Sequence, residues 1–450
     1  MSQHQSAEPA KPKSVLRGHR TQVHATAFIR SNHRLATGDA DGFVVIWDLT
    51  IMRPRAVWRA HTNAILTVAD WGDNRIITHG RDNRLVVWKL ALEDESAMST
   101  ALPLDESAPE RTRPWILHIL EVNTMNFCSF ASCAIRSDNS LDELLIAVPN
   151  TLETEAIDIF HLPSQDRRYT IHLGSKTEQK GMVMSLSLFL CGEHLTLAAA
   201  YESGLAIVAR LGENETWDIL YRAQVHSQPV LSLDVAPQKD FFLTSGADAI
   251  IAKHPIPPPC PLARESQQSR QANRKNTEAA NSSLSSAAIS PESSPAIPIP
   301  IPPRQSNLII ETQPLKTINT KHSGQQGLRI RSDGKIFATA GWDSKVRVYS
   351  IKTMTELAVL KWHEVGCYAT AFATLADKQS SNLVTPNTHR NKSKDGAATT
   401  GNIDNEGTTL TALPKPGQLS VKDRRINMAR EAHWLAAGSK DGKISLWDIY

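Results

Sequence analysis

Residue types that together can move a proton stand at fixed intervals near the start of this 450-residue chain: His19, Thr37, Asp41 and Trp47. An imidazole between a carboxylate and a hydroxyl is how many hydrolases activate a nucleophile, the carboxylate orienting the ring and the ring taking the hydroxyl proton. Recurrence argues against that use here. His61, Thr78, Asp82 and Trp88 repeat the set, and His226 with Asp248, His322 with Asp343, and His363 with Asp441 and Trp447 repeat parts of it. An enzyme needs one catalytic centre, not one per repeat, so the set reads as scaffolding. The chain has no Gly-rich phosphate loop, G-x-S-x-G or H-E-x-x-H motif, and the repeats account for most of its sixteen His. No enzymatic activity, cofactor or metal is expected.

The elements that position these residues follow from the segment Leu35 to Asp48, which returns in recognisable form around Asp82, Asp248, Asp343 and Asp441. In each copy a β-rich run meets an Asp turn, and a second β-rich run places a large ring six residues later: Trp47, Trp88, His254, Tyr349 and Trp447. Two strands joined by a tight turn are the plainest reading. In the first four repeats a His precedes the Asp by 21 or 22 residues, with another apolar strand between them. His363 stands in the same relation to Asp441 once a long insertion is set aside.

Gly18-His19, Trp47-Asp48 and Trp447-Asp448 at this spacing resemble the WD-repeat β-propeller family, in which each repeat of about 40 residues supplies four strands. The resemblance implies an all-β, seven-bladed propeller in which the marker residues form a structural hydrogen-bond chain: the turn Asp receives the His, and the His reaches a Thr or Ser toward the Trp. The blades fall at about 18–50, 55–90, 114–163, 170–212, 216–257, 314–351 and 355–450. The third and fourth keep strand patterning but lose the markers; aligning Gly204 with Gly42 puts Ser203 at the place of Asp41 and Ala209 at that of Trp47. The last blade lacks one strand. The resemblance implies that residues 14–17 supply it and close the ring, which removes exposed sheet edges.

Two segments interrupt the pattern. Residues 258–312, crowded with Ser and Pro and lacking aromatics, are expected as a disordered loop between blades five and six. Residues 376–430 are expected as a disordered insertion splitting blade seven, because loop closure grows only with the logarithm of length. The cluster Lys415, Lys422, Arg424, Arg425 and Arg430 in this insertion reads either as a nuclear import signal or as a solvated loop.

The residues before the turn Asp are Ala40, Arg81, Ala247, Trp342 and Lys440. A Trp with Arg and Lys around one rim has the composition of an interaction hot spot, so Arg81, Trp342 and Lys440 are the candidate partner-binding residues. Solvated turn residues are the bland alternative.

With 49 basic and 46 acidic residues, the formal charge of +3 gives no support to a nucleic-acid binder. Five scattered cysteines without C-x-x-C pairs indicate neither a disulfide framework nor a zinc site. No stretch approaches 18 apolar residues, and Met1 to Lys13 lacks an apolar leader core, so no membrane contact is expected.

The degenerate middle, the Pro and Ser loop, the split last repeat and the Trp-Asp-Ile-Tyr end resemble the fungal ASTRA-associated proteins, relatives of a G-protein β-subunit-like propeller in animals. That resemblance implies a nuclear subunit of the ASTRA assembly, monomeric within it. It also implies a tie to chromatin remodelling and to the co-chaperone machinery that matures phosphatidylinositol-kinase-like kinases. Two alternatives were weighed. A cullin ubiquitin-ligase receptor typically carries Arg two positions past Trp-Asp, where this chain has Thr50 and Tyr450. A G-protein β subunit needs an N-terminal coiled-coil helix that Met1 to Lys13 cannot form.

Overall fold

The computed structural model describes residues 10–104, 111–123, 127–135, 143–174, 178–259, 310–375 and 420–449. Their strands form seven four-stranded antiparallel sheets, the blades of a β-propeller. The chain divides into two compact units, Met1–Phe127 with His322–Tyr450, and Cys128–Lys321.

The first unit holds blades one, two, six and seven. Blade one is Val23–Ile29, Arg34–Asp39, Phe43–Asp48 and Arg53–Arg59. Blade two is Ile65–Asp70, Arg75–Gly80, Arg84–Lys89 and Trp115–Glu121. Blade six is Gln325–Ile330, Ile336–Gly341, Val346–Ser350 and Glu356–Leu360. Blade seven joins Cys367–Phe372, Trp434–Ser439 and Ile444–Asp448 to Ser14–Leu16, with Ser14 opposite Leu446. The N-terminal strand therefore completes blade seven as expected.

The second unit holds blades three, four and five. Their strands begin at Ala131–Ala134, Val183–Cys191 and Val230–Val235 and end at Asp166–Ile171, Trp217–Gln224 and Lys316–Asn319.

The expected blade limits are out of phase with these sheets by one strand. Residues 115 to 120, taken as the opening of blade three, are the fourth strand of blade two, paired with Arg84–Lys89. The reason is local: the strand after each Trp folds back onto the strand that carries it. The same offset moves the first insertion. Lys316–Asn319 pairs with Ile250–Pro255, so residues 258–312 interrupt blade five rather than separate it from blade six. Residues 260–309 and 376–419 lie outside the described residues, and so does the expectation of disorder there. The expectation fails at the end of the second insertion, where Val421–Glu431 is a helix capped by Ser420, whose hydroxyl accepts from the Asp423 amide. Ala429 is buried in the apolar cluster it shares with Trp434, and the Trp434 indole donates to the Ala429 carbonyl at 2.9 Å. That burial settles the helix, which composition alone does not signal.

The core lies between sheets. Trp47, Val45 and Leu35 of blade one pack with Leu446, Ile444 and Ala436 of blade seven, and Trp58 and Ile46 pack with Trp88 and Val86 of blade two. Both faces of a central strand are thus buried, so Phe43–Asp48 is continuously apolar up to its Asp rather than alternating. Glycine is required where the turn of one blade meets the next: Gly42 has φ +83°, and a Cβ there would run into the His61 carbonyl, as one at Gly442 would into that of His19.

The link after blade two's third strand is pinned. Glu95, in the 3-10 turn Asp94–Ala97, is buried between Arg30 and Arg34, and the Ser99 carbonyl accepts from Val57 of blade one's fourth strand at 2.8 Å.

Candidate functional site

The repeated polar sets were built from the sequence as one pattern; the structure shows five wirings of it. Blade two follows the expected one. His61 Nδ1 lies 2.8 Å from Asp82, its Nε2 lies 2.8 Å from Thr78 Oγ1, and the Trp88 indole donates to the same hydroxyl at 2.8 Å. The indole can only donate and the carboxylate only accept, so the Thr78 hydroxyl accepts from Trp88 and the imidazole Nδ1–H donates to Asp82. Against burial, which raises it, the His61 hydrogen bond and charge hold the Asp82 carboxyl down to about 2.

Blade one departs at one residue. His19 Nδ1 meets Asp39 at 2.7 Å rather than Asp41, while Nε2 meets Thr37 at 2.7 Å and Trp47 donates to Thr37 at 2.9 Å. Asp39 also accepts from the Asp41 and Phe43 amides. Its position, two past the Thr, is Gly80, Gly246 and Gly341 in blades two, five and six. At Gly80 a Cβ would collide with the His61 ring; in blade one that place supplies the carboxylate itself. The exchange of Gly for Asp was visible in the alignment of repeats and is the signal that identifies Asp39.

Blade five extends the chain. Asp248 meets His226 at 2.9 Å, His226 meets Thr244 at 2.8 Å, Thr244 meets His254 at 2.8 Å, and His254 meets the Tyr221 hydroxyl at 2.7 Å. His254 thus stands where Trp stands elsewhere, and burial pushes its pKa down to about 3.

In blade six His322 is not part of the chain. Its side chain is 44% exposed and 3.6 Å from Asp343. The buried Gln325 amide fills the ring's place, accepting from Thr339 at 2.7 Å, and the buried Arg347 holds Asp343 at 2.5 and 3.1 Å. In blade seven the hydroxyl has crossed to the third strand. His363 Nε2 and the Trp447 indole both meet Ser445 Oγ, at 2.8 and 2.9 Å, and Asp441 is bonded by Lys443 at 2.6 Å. His19, His61, His226, Thr37, Thr78 and Thr244 are all buried. Their chemistry is that of internal struts.

The residues before the turn Asp are equivalent by geometry. The amides of Ala40, Arg81, Ala247, Trp342 and Lys440 each donate to a carbonyl just before the first strand of their own blade at 2.9 to 3.0 Å. Glu202 of blade four makes the same bond, to Met182, at 2.9 Å. It was missed because the blade carries Ser203 in place of Asp.

In the first unit these turns adjoin bulges in the first strands, where His24, Gln326 and Tyr368 fall between paired residues. Trp342, 48% exposed, donates its indole N–H to Gln326 at 2.7 Å. His24 stacks on Tyr368 with centroids 5.4 Å apart, and the Arg81 guanidinium lies 4.2 Å from the Phe127 ring, itself half exposed. Burial, opposed by Asp39 and aided by Arg81, lowers the His24 pKa. Lys440 is exposed. The turn carboxylates Asp82, Asp343 and Asp441 are held by His61, Arg347 and Lys443, which leaves the outward chemistry of the turns aromatic and cationic. Arg81, Trp342 and Lys440 thus share one turn position in three blades, each with a distinct neighbour.

The WD domain, G-beta repeat model matches residues 10–48, 312–350 and 426–448. The chain is 50% identical to the ASTRA-associated protein 1 of Pyricularia oryzae, over 99% of this chain and 98% of that protein. It is 49% identical to that of Verticillium alfalfae, over 98% and 94%. It is 33% identical to that of Schizosaccharomyces pombe, over 80% and 93%.

Proposed function

Since the chain belongs to the ASTRA-associated protein 1 family, we propose that it is a non-catalytic scaffold subunit of an ASTRA assembly. In this reading it works in the nucleus, in chromatin remodelling and in the maturation of phosphatidylinositol-kinase-like kinases with their co-chaperones. The observation that carries the reading is 50% identity in an alignment that spans nearly the whole of both chains. The buried His chains of blades one, two and five are consistent with a structural role, and the rim of Arg81, Trp342 and Lys440 is the surface we assign to a protein partner. Exposed Trp and Arg are the residue types that concentrate binding energy.

The test is affinity purification with mass spectrometry of the full chain and of an R81A/W342A/K440A variant. The reading expects ASTRA subunits and kinase co-chaperones with the wild type and their depletion with the variant. A cullin adaptor in place of co-chaperones would overturn the assembly, and undiminished recovery by the variant would overturn the surface. A fluorescent fusion excluded from the nucleus would overturn the location.

A further inference from the structure

The fourth strand of blade two, Trp115–Glu121, shows solvent four large apolar side chains, where that of blade six shows one, Leu357. Trp115 is 76% exposed, Ile116 and Ile119 42% each, and Leu117 36%. In the fourth strands of blades one, three and five the exposed positions are polar or charged instead: Arg53, Arg55 and Arg59, then Asp166, Arg167 and Arg168, then Lys316, Thr317 and Asn319. A contiguous apolar strip on a sheet edge marks a binding surface, because edge N–H and C=O groups offer a template for another strand.

Fourth-strand edges of this protein already take extended chain. In blade one, Val57 donates to Ser99, and in blade four Glu311 lies along Trp217–Gln224, accepting from Arg222 at 2.9 Å and donating to Leu220 at 3.0 Å.

Charge indicates what the blade two edge takes. Register across the sheet aligns Arg75, Lys89 and Trp115, and Arg84 with Glu121. Lys89, Arg84 and Arg113 are exposed, so among the described residues cations outnumber carboxylates around the strip, most of all at its Trp115 end. We propose that Trp115–Glu121 receives, as a fifth strand of blade two, an extended segment of a partner protein in which apolar and acidic residues alternate. The apolar residues cover Ile116 and Ile119, which the bulge opposite Val87 and Trp88 sets on one face, while the acidic ones meet Lys89 and Arg113 with their aliphatic stems over Trp115, and backbone hydrogen bonds set the register.

The test uses the full chain and two labelled seven-residue peptides, one alternating Glu and Val and one alternating Lys and Val, followed by fluorescence anisotropy. The acidic peptide is expected to bind about tenfold more tightly. W115S weakens it about tenfold without changing the thermal unfolding curve, K89E/R113E reverses the preference between peptides, and R81A/W342A/K440A binds as the wild type does. Equal binding of both peptides, binding of neither, or unchanged affinity in W115S would overturn the proposal. So would a wild-type dimer in sedimentation velocity that W115S converts to monomer, since a second copy would then occupy the edge.

Discussion

At the scale of single residues, the identity of the carboxylate in blade one separates sequence logic from geometry. Asp41 occupies the marker position, but Asp39 is buried against His19 and also ties two turn amides. D39A should destabilise the fold by about 1 to 3 kcal/mol, the cost of stranding a buried partner. D41A should stay within about 0.5 kcal/mol, as surface changes usually do. Urea unfolding of the two variants decides it, and equal losses would return the role to Asp41. His254 carries a second consequence. Its folded pKa of about 3 lies below that of a free imidazole, so the fold favours the neutral ring. That contribution is complete above about pH 6.5 and is lost as the pH falls from there toward 3, by about 2 kcal/mol at pH 5 relative to neutral pH. H254Q should therefore be less stable than the wild type at pH 7.5, yet lose less in unfolding temperature on moving to pH 5.

At the scale of elements, blade seven shows that a strut can be rebuilt across a register pair. Thr37 and Val45 face each other in blade one, and Ala437 and Ser445 do so in blade seven, so the hydroxyl has passed from one strand to its partner. S445A should cost about 1 to 3 kcal/mol by stranding the His363 ring and the Trp447 indole. A437T/S445V returns the hydroxyl to the second strand and should recover most of that loss in thermal melts. No recovery would mean that the two positions are not interchangeable. Such exchanges explain how much of the fold was legible. The strand-turn-strand rhythm and the spacing from His to Asp exposed the architecture, and the lone segment 14–17 was placed correctly, because those depend on backbone periodicity. Asp39, Gln325 and Ser445 were not legible as partners, because a side chain reaches its slot from whichever neighbouring position has room. The phase of the blades was misread for a related reason: pairing follows the hairpin, whereas the repeat was framed by its markers. Of the equivalent turn positions, three candidates were found from the turn alone, while Glu202 in the second unit was hidden by the loss of its Asp, and the neighbours His24, Gln326 and Tyr368 in the first by bulges that only coordinates reveal.

At the scale of the whole molecule, blade seven depends on a strand that is remote in sequence. Leu16 is buried, Lys13 donates its amide to the Leu446 carbonyl at 2.8 Å, and Ser14–Leu16 pairs along Ile444–Asp448. Removing residues 1–17 should lower the unfolding temperature of the whole protein and raise its tendency to aggregate, since Ile444–Asp448 would become an open edge. An unchanged melting temperature in that truncation would show the strand to be dispensable. The pairing also has a timetable. Ser14–Leu16 leaves the ribosome well before its partner, roughly 20 to 90 s earlier at the usual elongation rates. Throughout that interval Leu16 and its neighbours have no seat, so the nascent chain holds a loose apolar end for most of its translation. Blade seven closes only once Ile444–Asp448 has emerged, and cells short of the chaperones that shield such a strand should lose this protein before others of equal stability.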